Sequence, residues 1–549
     1  MAKIKPILIV ITLFLIFEQF STAQILWQSR YSGITSSSID SAVGVAVNNS
    51  GFVFVTGVSN PTGTSATIVT IRYNPATGDS VWVRKIKGSG NQNDMPSAIV
   101  TDNTGFVYVT GWIFNPNRDM FVVKYSAATG DTLWRRTYNG TGNGGDYSHS
   151  LFVDASGNVY ITGRSDIGGA QKFTTLKYNS AGVLQPGWPS VYSDSLSTTY
   201  DEAKSIKVDG SGNVYVTGKS GASGLEDYLT VKMNSAGVVQ WAKKYAPSGS
   251  NFAIGLVLDA SNNVFVTGYH YTAQDGYNFT TIKYNGTTGD SMAVHDYNGP
   301  GDGLDITTAI AIDNNNNVYV TGYSQGVGTN ADYETIKYSN SLALLWERRY
   351  NGPGLLDYPI AIAVNNSNQR VYVTGYSSEA VGSFYDYLTI GYNMSDGSIL
   401  GPLRYNGLTG LTDRAYSVAV APTGEVYVTG AANFPAPDGN DWLTFKYTAT
   451  LSGVRQTSGT VPEKYTLEQN YPNPFNPGTT IKFSLPKSSF VTLEVYNVTG
   501  QLVAKPLNEN LSAGTYEYNW VAKGLTSGVY FYTLQANEFT QTKIMTLLK

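Results

Sequence analysis

No cysteine occurs among the 549 residues. That excludes disulfide staples, a thiolate nucleophile, cysteine-ligated metal and a lipid-modified N-terminal cysteine. Charge is scarce too. Asp, Glu, Lys and Arg make up 14% of the chain, against about 25% in ordinary soluble proteins. The formal net charge of −4 gives none of the basic footprint of a nucleic-acid binder. Of the three histidines, His149 and His270 are expected in loops and His295 in a strand of three different repeats. No HExxH or paired spacing joins them, so no zinc site is expected. No GxSxG elbow, P-loop or dinucleotide fingerprint stands in a strand–turn–helix context, and no repeated Asp-box of the sialidase type is present. Long apolar runs are missing apart from Ile7–Phe17, whose eleven residues fall short of the roughly 20 needed to span a bilayer. Lys3 and Lys5 precede that run and Ser21-Thr22-Ala23 follows it. This is the pattern of a secretory signal peptide over residues 1–23, cleaved between Ala23 and Gln24. An exported chain with no transmembrane anchor after signal removal is expected.

What the chain does contain is repetition. VYVTG stands at Val107–Gly111, Val214–Gly218, Val318–Gly322, Val371–Gly375 and Val426–Gly430, with close variants ending at Gly57, Gly163 and Gly268. The spacing averages about 53 residues, close to the repeat length of propeller blades. Each unit reads as four strands. Around the sixth motif these are Ile306–Asp313, Asn317–Ser324, Asp332–Ser339 and Leu344–Tyr350. In the motif the valines point one way and Tyr and Thr the other, the period-2 pattern of a strand. Both faces carry bulk, as in a sheet packed between two others, and the glycine is expected to release the chain into a loop.

Six of the nine tryptophans recur at one place in the fourth strand: Trp27, Trp82, Trp134, Trp188, Trp241 and Trp346. Trp27 comes before any first, second or third strand has appeared. The last unit offers Tyr416–Ala421, Val426–Gly430 and Trp442–Tyr447 but no convincing fourth strand. Joining the two ends completes eight blades and covers an edge otherwise exposed. Residues 24–458 are therefore expected to form an eight-bladed β-propeller closed by its N-terminal strand. A seven-bladed ring would leave one unit over. Units such as AIAIDNNNNVYVTGYS resemble the bacterial SBBP-type β-propeller repeat and, more distantly, NHL repeats. That resemblance implies an architecture and no reaction.

From Val461 the rhythm changes. Residues 459–549 read as strand-like pieces with Gly and Pro turns, a small Ig-like β-sandwich in an all-β chain. The prolines of Tyr471-Pro472-Asn473-Pro474-Phe475-Asn476-Pro477 favour extended backbone leading into the first strand. NYPNPFNPGTTIKFSLP, VYNVTG ending at Gly500, and SGVYFYTL with Gly528 and Tyr530 resemble the C-terminal sorting domain of the type IX (Por) secretion system. The resemblance implies export across both membranes, secretion or surface attachment, and the type IX machinery as a partner.

Candidate binding residues gather on the face carrying the loops between units. Before each first strand stand Asp40, Asp94, Asp146, Asp201, Asn251, Asp305, Asp357 and Asp413. At the start of the third strand stand Asp119, Asp227, Asp332, Asp386 and Asp441, with Asn278 in the same slot of another unit. Such a double ring of acids suits sugar hydroxyls or a cation, or else caps turns and ties down backbone amides. The turns Asp154–Asn158, Asp209–Asn213 and Asp313–Asn317 lack EF-hand spacing and read as hairpins. Trp112, Tyr269, Tyr271, Tyr323, Tyr376 and Tyr385, expected in loops after the motif, are suited to stacking on sugar rings. The reading is a non-catalytic secreted or surface adhesion protein for a glycan or protein ligand, with no metal, cofactor or catalytic residue assigned. The alternatives are an extracellular polysaccharide hydrolase or lyase working through the mouth aspartates, and a structural matrix protein.

Overall fold

The computed structural model describes residues 25–548 apart from 34–38, 61–64, 194–199, 223, 353, 355, 379–383, 408–410, 435–438, 448–453, 459–461, 477, 488, 512 and 523–524. The leader, its cleavage pair Ala23 and Gln24, and Pro477 lie outside the described residues. All regular structure among the described residues is β, and it falls into two compact units, within Ala23–Leu451 and within Ser452–Lys549.

The first unit contains eight four-stranded antiparallel sheets. We number them by their innermost strands: Ile39–Val47, Met95–Thr101, Tyr147–Val153, Glu202–Val208, Asn251–Leu258, Ile306–Ile312, Asp357–Asn365 and Arg414–Val420. Each innermost strand packs on the next, and that of sheet 8 packs back on that of sheet 1. The ring is closed, which makes a β-propeller. The outer strand of sheet 8 is Ile25–Tyr31, antiparallel to Gly439–Tyr447 with Trp27 opposite Lys446 and Tyr31 opposite Trp442. The expectation from the orphan Trp27 holds.

The motif is the glue between sheets. Val107 and Val109 of sheet 2 pack on Phe54 of sheet 1. Val159 and Ile161 pack on Tyr108, Val214 and Val216 on Tyr160, and so on to Val53 and Val55, which pack on Tyr427 of sheet 8. The third residue type, threonine, ties the motif strand to its neighbour through hydroxyl pairs such as Thr217–Thr230 at 3.0 Å and Thr374–Thr389 at 2.7 Å. The motif tyrosine donates to the aspartate of the preceding turn, Tyr319 to Asp313 at 2.9 Å. That aspartate also accepts the amides of Asn315 at 2.9 Å and Asn317 at 2.8 Å. The Asp-x-x-x-Asn segments are side-chain-braced hairpins.

The motif glycine does not end its strand. Gly111 lies inside Phe106–Phe114 and Gly218 inside Val214–Ala222. In every sheet the innermost strand carries a bulge beside that glycine, with one extra residue such as His149 between Ser148 and Ser150 or Lys204 between Ala203 and Ser205. The bulge drives the innermost strand's backbone inward. A Cβ on Gly218 would lie 2.0 Å from the carbonyl oxygen of Glu202, and one on Gly375 2.0 Å from that of Tyr358. Only glycine fits. The two strands are neighbours in the chain, but the bulge shifts their register by one residue, which side-chain alternation along one strand does not show, so local pattern misread the glycine as a strand terminator.

In the second unit, Val454–Ser458, Gly514–Val521, Gly478–Leu485 and Thr466–Leu467 form one sheet, and Leu502–Leu511, Ser489–Asn497, Gly528–Ala536 and Phe539–Leu547 the other. Both contribute to one core around Phe483, Leu493, Tyr518 and Leu534. Val454–Ser458, assigned by sequence to the propeller, pairs instead with Gly514–Val521.

Candidate functional site

The loop aspartates are fully buried, and their oxygens are aimed at backbone. Asp94 accepts the amides of Gly88 and Phe114, both at 2.7 Å. Asp146 accepts those of Gly140 at 2.8 Å and Asp166 at 2.9 Å. Asp305 takes Gly299 at 2.5 Å and Gln325 at 3.1 Å, Asp413 takes Gly407 at 2.7 Å and Asn433 at 2.9 Å, and Asp357 takes Gly352 at 2.7 Å. Each clips the incoming loop to the end of the motif strand of its own sheet. The price of burying these carboxylates shows in their acidity. Desolvation outweighs the amide bonds and pushes Asp357 and Asp413 up to about 6.

The second ring is buried as well, apart from half-buried Asp227, and mostly neutralised from the outer strand. Arg349 reaches Asp332 at 3.0 Å, Arg404 reaches Asp386 at 3.1 Å, Lys244 lies 3.3 Å from Asp227, and Arg30 pairs with Asp441. In sheet 2 the corresponding outer-strand residue is Thr137. Among the described residues Asp119 has no ion pair, and burial, with the charge of Asp146 beside it, raises it to about 6. Among the described residues no group of three or more His, Asp or Glu side chains is arranged to hold a metal ion.

The half-exposed groups of this face are chiefly aromatic and cationic. Trp112, Tyr269, Tyr323 and Tyr376 lie within strands, one residue after the motif glycine, because each second strand runs on into a tight hairpin. His149 and His270 are likewise in strands. The partner opposite is the residue after the loop aspartate: Tyr147 faces Arg164, Glu202 faces Lys219, Phe252 faces Tyr269 and Tyr358 faces Tyr376. The result is a belt passing from sheet to sheet. Trp112 meets Tyr147 edge-on at 5.3 Å. The Arg164 guanidinium lies over Tyr147 at 4.2 Å and Tyr200 at 4.7 Å, and Lys219 over Tyr200 at 5.0 Å and Phe252 at 5.3 Å. Phe252 meets Tyr269 at 5.0 Å, and Tyr269 meets Tyr277 at 5.4 Å. Burial, with the Tyr323 phenol next in effect, pushes the Tyr269 hydroxyl up to about 12. Beyond it Tyr323 touches Tyr358 at 5.0 Å, Tyr358 touches Tyr376 at 5.3 Å, and Arg414 lies over Tyr376 and Tyr385 at 5.3 and 5.4 Å.

Sequence reading missed most of this belt. Tyr147, Arg164, Lys219, Phe252 and Tyr358 belong to it only through cross-strand register, and Tyr200 joins from the loop just before Asp201. The register could have been found by placing the residue after each loop aspartate opposite the residue after each motif glycine.

In the second unit the proline-rich strip is displayed on a buried anchor. Tyr471, Pro472, Asn473, Pro474 and Asn476 are exposed, whereas Phe475 is buried against Trp520 at 5.8 Å. Phe475 and Thr546 share a 2.9 Å backbone bond, and Asn473 accepts the Thr546 amide at 2.9 Å. Gly500 is at an exposed turn. Exposed Gly528 and buried Tyr530 border a cavity of about 410 Å³.

Residues 469–547 match the family described as a secretion system C-terminal sorting domain, and residues 298–328 match the beta-propeller repeat of SBBP type. The chain is a β-propeller with a type IX sorting tail. The tail marks it for the type IX machinery and for the cell surface or extracellular space. An uncharacterized WD repeat-containing protein of Acanthamoeba polyphaga mimivirus is 22% identical over 274 residues, 49% of this chain. The chain spans only 16% of that relative's length. Among solved structures, PorZ, a bacterial surface component of the type IX secretion system of Porphyromonas gingivalis, is 14% identical, with 92% of this chain and 70% of that chain covered and a TM-score of 0.39. The quinohemoprotein alcohol dehydrogenase of Comamonas testosteroni is 12% identical over 82% and 79%, with a TM-score of 0.45. A polysaccharide lyase is 9% identical over 78% and 100%, with a TM-score of 0.40. These likenesses carry no inference about activity or partner. Among the described residues no helix is long and apolar enough to cross a membrane.

Proposed function

We propose that this type IX cargo is a non-catalytic capture protein that binds glycans on the aromatic belt of its propeller. The observation that carries this reading is the division of labour on one face. All the ring carboxylates but Asp227, which is half-buried beside Lys244, are buried, mostly on amides and arginines, and the other half-exposed groups are chiefly rings and cations. Sugar rings stack on such aromatics through their C–H faces, while Tyr hydroxyls and Arg donors meet their oxygens. A hydrolase would need two accessible carboxyl groups about 5–9.5 Å apart in unlike environments. The mouth aspartates, Asp94, Asp146, Asp305, Asp357 and Asp413 with Asp227, Asp332, Asp386 and Asp441, are committed elsewhere.

The test is a glycan-array and polysaccharide-depolymerisation screen on the full exported chain. Binding with no oligosaccharide released supports capture. Release of oligosaccharides would establish the catalytic alternative, and no binding to any glycan would leave the structural matrix role.

A further inference from the structure

Eight repeats built to one plan make departures from the plan informative, because a structural need recurs in every sheet while a ligand need does not. Three positions of each sheet lie at the mouth: the residue after the loop aspartate, its cross-strand partner after the motif glycine, and the extra residue of the bulge. In sheets 1, 2, 5, 6 and 7 all three are uncharged, as in Phe252, Tyr269 and Ile254. Sheet 8 has Arg414 alone. Sheets 3 and 4, side by side, hold Arg164, Glu202, Lys204 and Lys219, together with His149.

These groups form one cluster. Glu202 is its centre, with His149 Nε2 at 2.7 Å, Lys204 Nζ at 3.0 Å and Arg164 Nε at 3.7 Å. Burial raises the Glu202 carboxyl, but the His149 bond and the Lys204 ammonium outweigh it and bring it down to about 2. Burial lowers His149, which keeps the imidazole neutral at pH 7. Lys219 lies 3.4 Å from Glu226. Three cations thus face two carboxylates, and Arg118 of sheet 2 adds a fourth, its guanidinium 3.3 Å from the Tyr147 hydroxyl. At the mouth positions of sheets 3 and 4 themselves the cations Arg164, Lys204 and Lys219 stand against the single carboxylate of Glu202. The cluster is interleaved with rings: Arg164 over Tyr147 and Tyr200, Lys219 over Tyr200 and Phe252.

Resting on the capture reading above, we infer that sheets 3 and 4 form an anion subsite, so that the glycan bound along the belt is an acidic polysaccharide, carboxylated or sulfated. A guanidinium fork matches the two oxygens of a carboxylate or sulfate. The rings beside it hold the sugar that bears the group. An acidic polymer without sugar rings would meet the charge but not the stack.

The test is affinity electrophoresis and calorimetry of the full chain with four probes: alginate, a polyuronate; carrageenan, a sulfated galactan; dextran, which is neutral; and polyglutamate. Alginate or carrageenan is expected to bind about tenfold or more tighter than dextran and polyglutamate, with affinity falling as salt rises. Whichever of the two is retained names the anion. Arg164→Gln is expected to weaken that binding about tenfold, and Lys204→Gln, on a more exposed side chain, to weaken it with a smaller fall in melting temperature should the first variant fold poorly. Dextran or polyglutamate bound as tightly as the acidic glycans, or Lys204→Gln binding like the parent, overturns the inference. Dextran binding alone removes this inference and leaves the capture reading standing; no binding to any probe removes both.

Discussion

Trp27 donates its indole N–H to the carbonyl oxygen of Pro75 at 3.0 Å, across the junction between sheets 8 and 1. It is the bond that Trp82 makes to Ala127 at 3.2 Å, Trp134 to Ser180 at 3.0 Å and Trp346 to Met394 at 3.2 Å. In each case the outer-strand tryptophan of one sheet sits on the last turn of the next, against a glycine whose Cβ would strike the ring, as Gly78 would strike Trp27 at 2.7 Å. The junction where the propeller closes uses the same latch as the junctions within it.

Trp27→Ala should therefore cost as much as removing an internal tryptophan, about 3–5 kcal/mol for a buried aromatic truncated in a core. Denaturant unfolding of the variant beside Trp82→Ala checks this. A loss under about 1 kcal/mol, the typical cost of an unremarkable substitution, would mean that the closing strand is dispensable.

The motif glycines should be intolerant of a single methyl. Gly218→Ala puts a Cβ 2.0 Å from a backbone oxygen and is expected to destabilise by roughly 2–4 kcal/mol, since the innermost strand must move. Gly51, at φ +78° with open space around it, serves as the control. Its alanine variant should cost about 1 kcal/mol through backbone strain alone.

Asp119 predicts an inverted pH dependence. Its folded pKa of about 6 lies above the roughly 3.9 of an unfolded aspartate. Between those values the folded state binds the extra proton, so stability falls as pH rises from about 4 to 6 and stays lower above. Asp119→Asn, which installs the amide found at Asn278 in sheet 5, should raise stability at pH 7.5 by roughly 1–2 kcal/mol and leave it unchanged at pH 4. Melting temperatures at the two pH values report the difference. A variant less stable at pH 7.5 would show that the charge of Asp119 is held by something favourable.

The sorting tail hangs on one ring. Phe475→Ala empties the contact with Trp520 and should destabilise the second unit by about 3–5 kcal/mol. Export should fall with it, read as the fraction of chain reaching the surface or medium against the fraction retained in the cell. Normal export of this variant would separate recognition of the tail from its fold.

Much of the fold was legible because its signals are periodic. The valine alternation, the outer-strand tryptophans and the orphan Trp27 each recur or stand out along the chain, and the paired sheets follow from them. The glycine's purpose was not legible, because it answers a register shift in the preceding strand of the hairpin, and a bulge leaves no mark in the alternation of either strand. The same limit hid the belt. Tyr269 and Tyr376 stood out as aromatics, but Phe252 and Tyr358 join them only when the strands are laid side by side. Charge was hardest to read. Asp332 and Asp386 look alike in sequence to Asp119, and only the outer strand, with Arg349 and Arg404 against Thr137, distinguishes them.

The claim on which the functional account rests is that aromatics, and not acids, make the recognition surface. It is tested most directly by measuring polysaccharide affinity and melting temperature together for Tyr358→Ala with Tyr376→Ala, and separately for Asp413→Ala. The account predicts that the paired tyrosine variant loses affinity about tenfold or more, as stacking contacts do, while the aspartate variant keeps its affinity and melts earlier. An aspartate variant that melts normally and no longer binds, beside a tyrosine pair that binds like the parent, would contradict it.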